Sequence, residues 1–156
     1  MNSLELLQET DQLRNIPMFA KLDSSKLKLL AFTSEMVNYA DGETIFYQGD
    51  SADCAYVIME GGVDVISETE SGPIIATTLQ QNQLFGEMAL LNNVPRVATM
   101  KANGKLVVMK ITADMFLKLI SENSDVSLDV MRQLSAKLAM SHHHVSELQN
   151  QLSNRH

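Results

Sequence analysis

Apolar and polar positions divide the chain into a helical start, a strand-rich middle and a helical end. From Leu4 to Leu13 apolar residues recur at helical spacing, until Ile16-Pro17-Met18-Phe19 interrupts them with a proline turn and bulky apolar anchors. Asp23-Ser24-Ser25 then offers side-chain oxygens to the free amides of a second helix predicted to run through Phe32. Residues 1–35 are therefore expected to form an N-terminal helical segment.

Over residues 36–111 the pattern changes to short runs rich in Val, Ile, Thr, Tyr and Phe. Asp41-Gly42, Gln48-Gly49-Asp50, Gly61-Gly62, Ser71-Gly72-Pro73 and Asn103-Gly104 separate them. Strands are predicted at 36–39, 44–47, 55–60, 63–67, 74–79, 99–102 and 105–111, a spacing that suits a barrel or sandwich.

After Ile111 the helical period returns, with Thr112 as a cap, Met115, Phe116, Leu119 and Ile120 on one apolar face, and a break near Asn123. Residues 112–156 thus read as C-terminal helices, the last one long. Its Met131, Leu134, Leu138, Val145, Leu148 and Leu152 follow alternating three- and four-residue steps when Ser141 takes the intervening seam position. This stripe outlasts what one small barrel can cover, so a homodimer through the C-terminal helix is expected. In the other reading the first half packs on the barrel and the second half frays.

Composition narrows the function classes. A length of 156 residues suits one domain, and 45% hydrophobic with 20% charged residues suits a folded chain. A net charge of −7 with scattered Lys and Arg argues against direct nucleic-acid binding, which needs a basic stripe. The single cysteine, Cys54, excludes an internal disulfide, and no basic-then-apolar leader is present. Apolar runs such as Leu106 to Met109 fall far short of the roughly 20 residues that span a bilayer. A cytoplasmic protein with no membrane partner is expected.

The stretch that carries chemistry runs from Phe85 to Thr99, FGEMALLNNVPRVAT. It reads as a glycine-started turn, one short apolar helix, and a proline that fixes the chain ahead of Arg96. The amides of a helix start, placed beside one guanidinium, make an anion site. Arg96 can add a bidentate, charge-assisted pair to two phosphate oxygens. Charge alone disfavours Glu87 so close to a phosphate, which points to a neutral donor such as a ribose hydroxyl as its partner. The competing reading is an internal Glu87–Arg96 ion pair that closes the turn.

Phe-Gly-Glu-x-Ala-Leu followed by Pro-Arg-x-Ala-Thr resembles the phosphate-binding cassette of the cyclic nucleotide-binding domain family. The likeness extends to Ile16-Pro17-Met18-Phe19, to residues 43–50 (ETIFYQGD) and to residues 55–61 (AYVIMEG). It implies a mostly β fold: an eight-stranded antiparallel, jelly-roll-like β-roll over 36–111, with its cassette at 85–99, N-terminal helices and a long C-terminal helix. Within the Phe85-Gly86-Glu87 start, it assigns Glu87 to the ribose 2′-hydroxyl. It assigns Arg96 to the cyclic phosphate and the amides of Met88, Ala89 and Val97 to the other phosphate oxygens, with Ala98 next in the motif.

Ala76, Thr77 and Leu79 match positions that line the base pocket in bacterial family members. Ser146 falls where their long helix contacts adenine; an exposed helix serine is the alternative. Val97 lacks the hydroxyl that cGMP-preferring members often carry after the arginine. The expected ligand is therefore cAMP, with cGMP still open through Thr77.

These residues imply a receptor that regulates a partner not identifiable from sequence. The alternative is the ligand-binding portion of a catabolite-activator-type transcription regulator lacking its DNA-binding domain, since the chain ends at His156 before a recognition helix. No catalytic residue, cofactor or metal site is expected. All four histidines follow Met140, and adjacent residues of His142-His143-His144 diverge by about 100° on a helix, so they cannot converge on one ion. Cys54, with no evident cationic neighbour, is expected to be an unreactive thiol.

A micromolar ligand requires about 8 kcal/mol, and charge-assisted hydrogen bonds supply roughly 1.5–3 kcal/mol each. Arg96 alone is therefore insufficient, and the cassette amides, Glu87 and an apolar wall must contribute.

Overall fold

The structure, a computed structural model, describes residues 3–153; the side chains of Ser3 and of 140–149, 151 and 153 lie outside the description. The chain opens with α1 (Ser3–Arg14), a 3₁₀ turn (Pro17–Phe19) and α2 (Ser24–Thr33). Proline at the start of the turn presets φ, and Met18 and Phe19 are buried there. Asp23 caps α2 by accepting from the Lys26 amide at 2.9 Å.

Six strands follow: β1 (Glu35–Tyr39), β2 (Thr44–Phe46), β3 (Cys54–Thr69), β4 (Gly72–Leu79), β5 (Leu84–Phe85) and β6 (Thr99–Thr112), with α3 (Glu87–Asn92) between β5 and β6. All pairings are antiparallel, and β3 and β6 run against each other from Cys54↔Thr112 to Ile66↔Thr99.

The sequence breaks expected at Gly61-Gly62 and Asn103-Gly104 are bulges in these two long strands, where the register shifts between Ile58 and Gly62. Gly61 is required at that crossing. Its φ is +91°, and a Cβ there would stand 2.3 Å from the Lys105 carbonyl oxygen.

The bulges let β3 and β6 pass from one half of the roll to the other. The first half of β3 and the second half of β6 pair with β5 and β1; their remaining halves pair with β4 and β2. Six continuous strands thereby produce the β-roll for which eight shorter ones were expected. The antiparallel β-roll class agrees.

Alternation along β3 and β6 divides the core. Cys54, Tyr56 and Ile58 with Leu106 and Val108 face the roll interior, alongside Phe46, Phe85 and Met100. Ala55, Val57, Met109 and Ile111 face the helices, where they meet Leu13, Phe19, Leu27, Leu30 and Phe116. Burying a side chain such as Phe116 contributes about 1.5–3 kcal/mol.

Thr112 caps α4 (Ala113–Glu122) by accepting from the Met115 amide, and the chain breaks at Asn123 before α5 (Ser124–Ser153). Val126 and Val130 bury the first turns of α5 against the helical core, and Leu134 packs partly buried on it. Met131, Leu138 and Leu152 are exposed. Among the described residues no helix is long and apolar enough to cross a membrane.

Candidate functional site

The cassette begins where β5 ends. Gly86 adopts a left-handed conformation, with φ 79°, and turns the chain from Phe85 into α3. Among the described residues no side chain caps α3, which leaves its first amides without a side-chain partner there. Asn93, also left-handed, terminates α3. The Arg96 amide donates to Asp50 O and its carbonyl accepts from the Gly49 amide, both at 2.8 Å, which locks the second half of the cassette to the turn after β2.

Arg96 is only 4% exposed. Its Nη1 donates to Gly86 O at 2.7 Å and its Nη2 to Cys54 O at 2.8 Å. The guanidinium also lies over the Phe46 ring. It thereby ties the start of α3 to β3.

Nη2 stands 3.6 Å from Cys54 Sγ, so Cys54 does have the cationic neighbour that was not evident in the sequence. Burial nevertheless raises the thiol pKa above its ordinary value, with Asp53 raising it further and hydrogen bonding to Tyr56 opposing the rise.

Glu87 is 1% exposed, and one of its carboxylate oxygens has a partner that the sequence did not indicate. Lys137 of α5, a cation rather than a neutral donor, places Nζ 2.7 Å from Glu87 Oε1 and donates also to Leu84 O at 3.0 Å. Glu87 and Arg96 do not pair with each other among the described residues. Two buried polar atoms of the site lack a partner among the described residues: Glu87 Oε2, an acceptor, and Arg96 Nε, a donor.

A cavity of about 160 Å³ opens here. Gly86, Glu87, Met88, Ala89, Arg96, Val97 and Ala98 line one side, and Phe46, Val65, Thr77, Leu79, Met100 and Lys137 line the rest. Most of the expected residues therefore converge.

Phe85 stands behind the wall, stacked on Tyr56 with ring centroids 4.9 Å apart. Ala76 is exposed and does not line the cavity; it is the extra residue of β4 where the register with β3 shifts, next to Thr77, which lines it. The Ser146 side chain lies outside the described residues, as do those of His142, His143 and His144. Among the described residues no three His, Cys, Asp or Glu side chains gather in a way that could hold a metal ion.

Lys137 and Gln133 were not anticipated. Gln133 Oε1 accepts from the Leu84 amide at 3.1 Å. A buried Glu87 demands a counter-charge, but nothing local to the cassette indicates that α5 supplies it.

The cyclic nucleotide-binding domain family matches residues 36–123. A cAMP-dependent protein kinase regulatory subunit from Blastocladiella emersonii is 35% identical over 115 residues, covering 73% of this chain and 28% of its own length. The chain thus spans little more than a quarter of that relative.

Among solved structures, the sensor domain of the transcriptional regulator DNR from Pseudomonas aeruginosa superposes with a TM-score of 0.73 at 23% identity, covering 92% of this chain and 95% of that one. Thermus thermophilus catabolite activator protein gives a TM-score of 0.72 at 25% identity, covering 85% and 63%.

Proposed function

The chain belongs to the cyclic nucleotide-binding domain family, and from that premise we propose that it is a cytoplasmic, non-catalytic receptor for cAMP that regulates a partner protein through its C-terminal helices. The observation that carries this reading is a pair of buried polar atoms, without a partner among the described residues, on two residues that line one cavity. Glu87 Oε2 can accept only from a donor such as a ribose hydroxyl, and Arg96 Nε can donate only to an acceptor such as a phosphate oxygen. The amides at the start of α3 and the positive end of its dipole favour the same anion.

Preference for cAMP rests on Val97, which lines the cavity and offers no hydroxyl to a guanine edge, with Thr77 as the hydroxyl that tempers it. Transmission runs through Leu90. It packs partly buried against the core that contains Phe116 and Leu119, as does Ile120 of α4, so a shift of α3 on ligand binding repacks α4 and changes the pose of α5. The exposed Met131, Leu138 and Leu152 support a homodimer through α5.

Calorimetric titration of the chain with cAMP and cGMP, with molecular mass measured in both states, tests these points together. Tighter binding of cAMP, a dimer mass, and loss of measurable binding in Arg96→Ala are expected. Unchanged affinity in Arg96→Ala overturns the site.

A further inference from the structure

Lys137 carries the contact between the cavity and α5. Its ammonium divides the Glu87 carboxylate, because Oε1 is taken at 2.7 Å while the buried Oε2 has no partner among the described residues. Lys137 itself lines the cavity. Its second bond, to Leu84 O, lies next to the bond that the Leu84 amide donates to Gln133 Oε1, so two α5 side chains one helical turn apart hold both backbone polar groups of a single residue.

Asp129 Oδ2 accepts from Gln133 Nε2 at 3.1 Å, which leaves the amide oxygen of Gln133 for Leu84. Asp129, Gln133 and Lys137 thus form a polar row at four-residue steps on a helix whose Val126, Val130 and Leu134 pack apolar side chains on the core.

Part of this row answers a backbone need. β5 pairs with β3 on one edge only, through Tyr56↔Phe85 and Val57↔Leu84, so the Leu84 N–H and C=O on the other edge require partners. Gln133 and Lys137 supply them. That need does not account for the contact of Lys137 with Glu87, which reaches past the strand to the residue after Gly86.

We propose that Lys137 is a positioning and specificity-determining residue: it fixes the Glu87 carboxylate so that Oε2 receives the ligand hydroxyl, and it makes ligand affinity and α5 docking interdependent. The inference rests on the cyclic-nucleotide reading of the cavity. By linkage, a ligand that binds better when Glu87 is held must strengthen the hold of Lys137, and therefore of α5, by the same factor.

The test compares cAMP with 2′-deoxy-cAMP by calorimetry in the unaltered chain, Lys137→Met and Lys137→Arg. Lys137→Met is expected to weaken cAMP about tenfold or more, because the buried Glu87 carboxylate loses its part-buried counter-charge, while 2′-deoxy-cAMP changes by less than about threefold. Lys137→Arg, which keeps the charge, is expected to recover most of the cAMP affinity. A purely structural role would weaken both ligands equally, and that result, or an unweakened cAMP affinity, overturns the proposal.

Amide hydrogen exchange without ligand separates the two halves. Faster exchange at Leu84 in Lys137→Met is expected, and unchanged exchange overturns the docking role. Should the unaltered chain bind neither nucleotide, the receptor reading and the specificity role fall together, while the exchange measurement still decides docking.

Discussion

The Arg96 guanidinium carbon lies 4.1 Å from the centroid of the Phe46 ring, and the two Nη groups of the same side chain hold Gly86 O and Cys54 O. One cation therefore stacks on β2, spans to β3 and fixes the left-handed glycine that starts α3. A residue expected to hook an anion is also a strut of the roll, so ligand affinity and fold stability share it.

Phe46→Leu tests the stacked half of that relationship. Losing the ring removes apolar packing and a cation–π contact, and a stability loss of about 1–3 kcal/mol is expected by urea denaturation. Affinity for cAMP should fall with it, because Arg96 loses the surface that orients its fork. Reduced stability with unaltered affinity would show that the ring serves the roll alone.

Gly86→Ala tests the other half. A left-handed alanine costs about 1–2 kcal/mol, and its Cβ would stand 2.7 Å from Arg96 Nη1. The guanidinium must move to admit it. Binding measured by calorimetry is expected to weaken about tenfold or more, beyond what the stability loss in thermal melts accounts for. Affinity within about twofold of the unaltered chain would mean that Arg96 can shift without leaving the site.

The residues legible in the sequence were those whose meaning is local. Gly86, Glu87, Pro95 and Arg96 lie within one short segment, where a turn, a helix start and a lone cation explain one another without tertiary contacts. Asp23 and Thr112 were readable as caps for the same reason, since each acts three residues along. Lys137 stands 50 residues from Glu87, and its role arises only when α5 is laid across β5.

The Gly61-Gly62 and Asn103-Gly104 pairs misled because glycine marks bulges as well as turns, and only the pairing of β3 with β6 distinguishes the two. β5, two residues long, carries no periodic signal at all.

Gly61 and Gly49 provide a matched pair for the crossing. Their φ angles are +91° and +92°, so alanine meets the same backbone penalty at each, yet only at Gly61 would its Cβ collide with backbone, 2.3 Å from Lys105 O. At Gly49 nothing lies within 4 Å. Gly49→Ala is expected to cost about 1–2 kcal/mol in urea denaturation, and Gly61→Ala at least about 2 kcal/mol more, because β3 and β6 must separate. Equal losses would show that the bulge can relax around a methyl group.

Alkaline pH should weaken the fold through the roll interior. Cys54 is buried there, and burial, more than any neighbour, raises its pKa above the ordinary 9.0; Tyr56 beside it is raised above 10.0 for the same leading cause. Between the ordinary and the raised values the unfolded chain has released protons that the folded chain keeps, so stability falls as pH rises.

The contribution of Cys54 is complete below pH 9.0 and is lost as pH climbs toward its folded value; that of Tyr56 begins to fall above 10.0. Urea denaturation from about pH 8 to about pH 10.5 is expected to show declining stability in the unaltered chain. In Cys54→Ala the early part of the decline should flatten, while the later part, carried by Tyr56, persists. A stability profile that stays level through this range, or one that Cys54→Ala leaves unchanged, would remove the thiol from the account and leave its contact with Arg96 as packing alone.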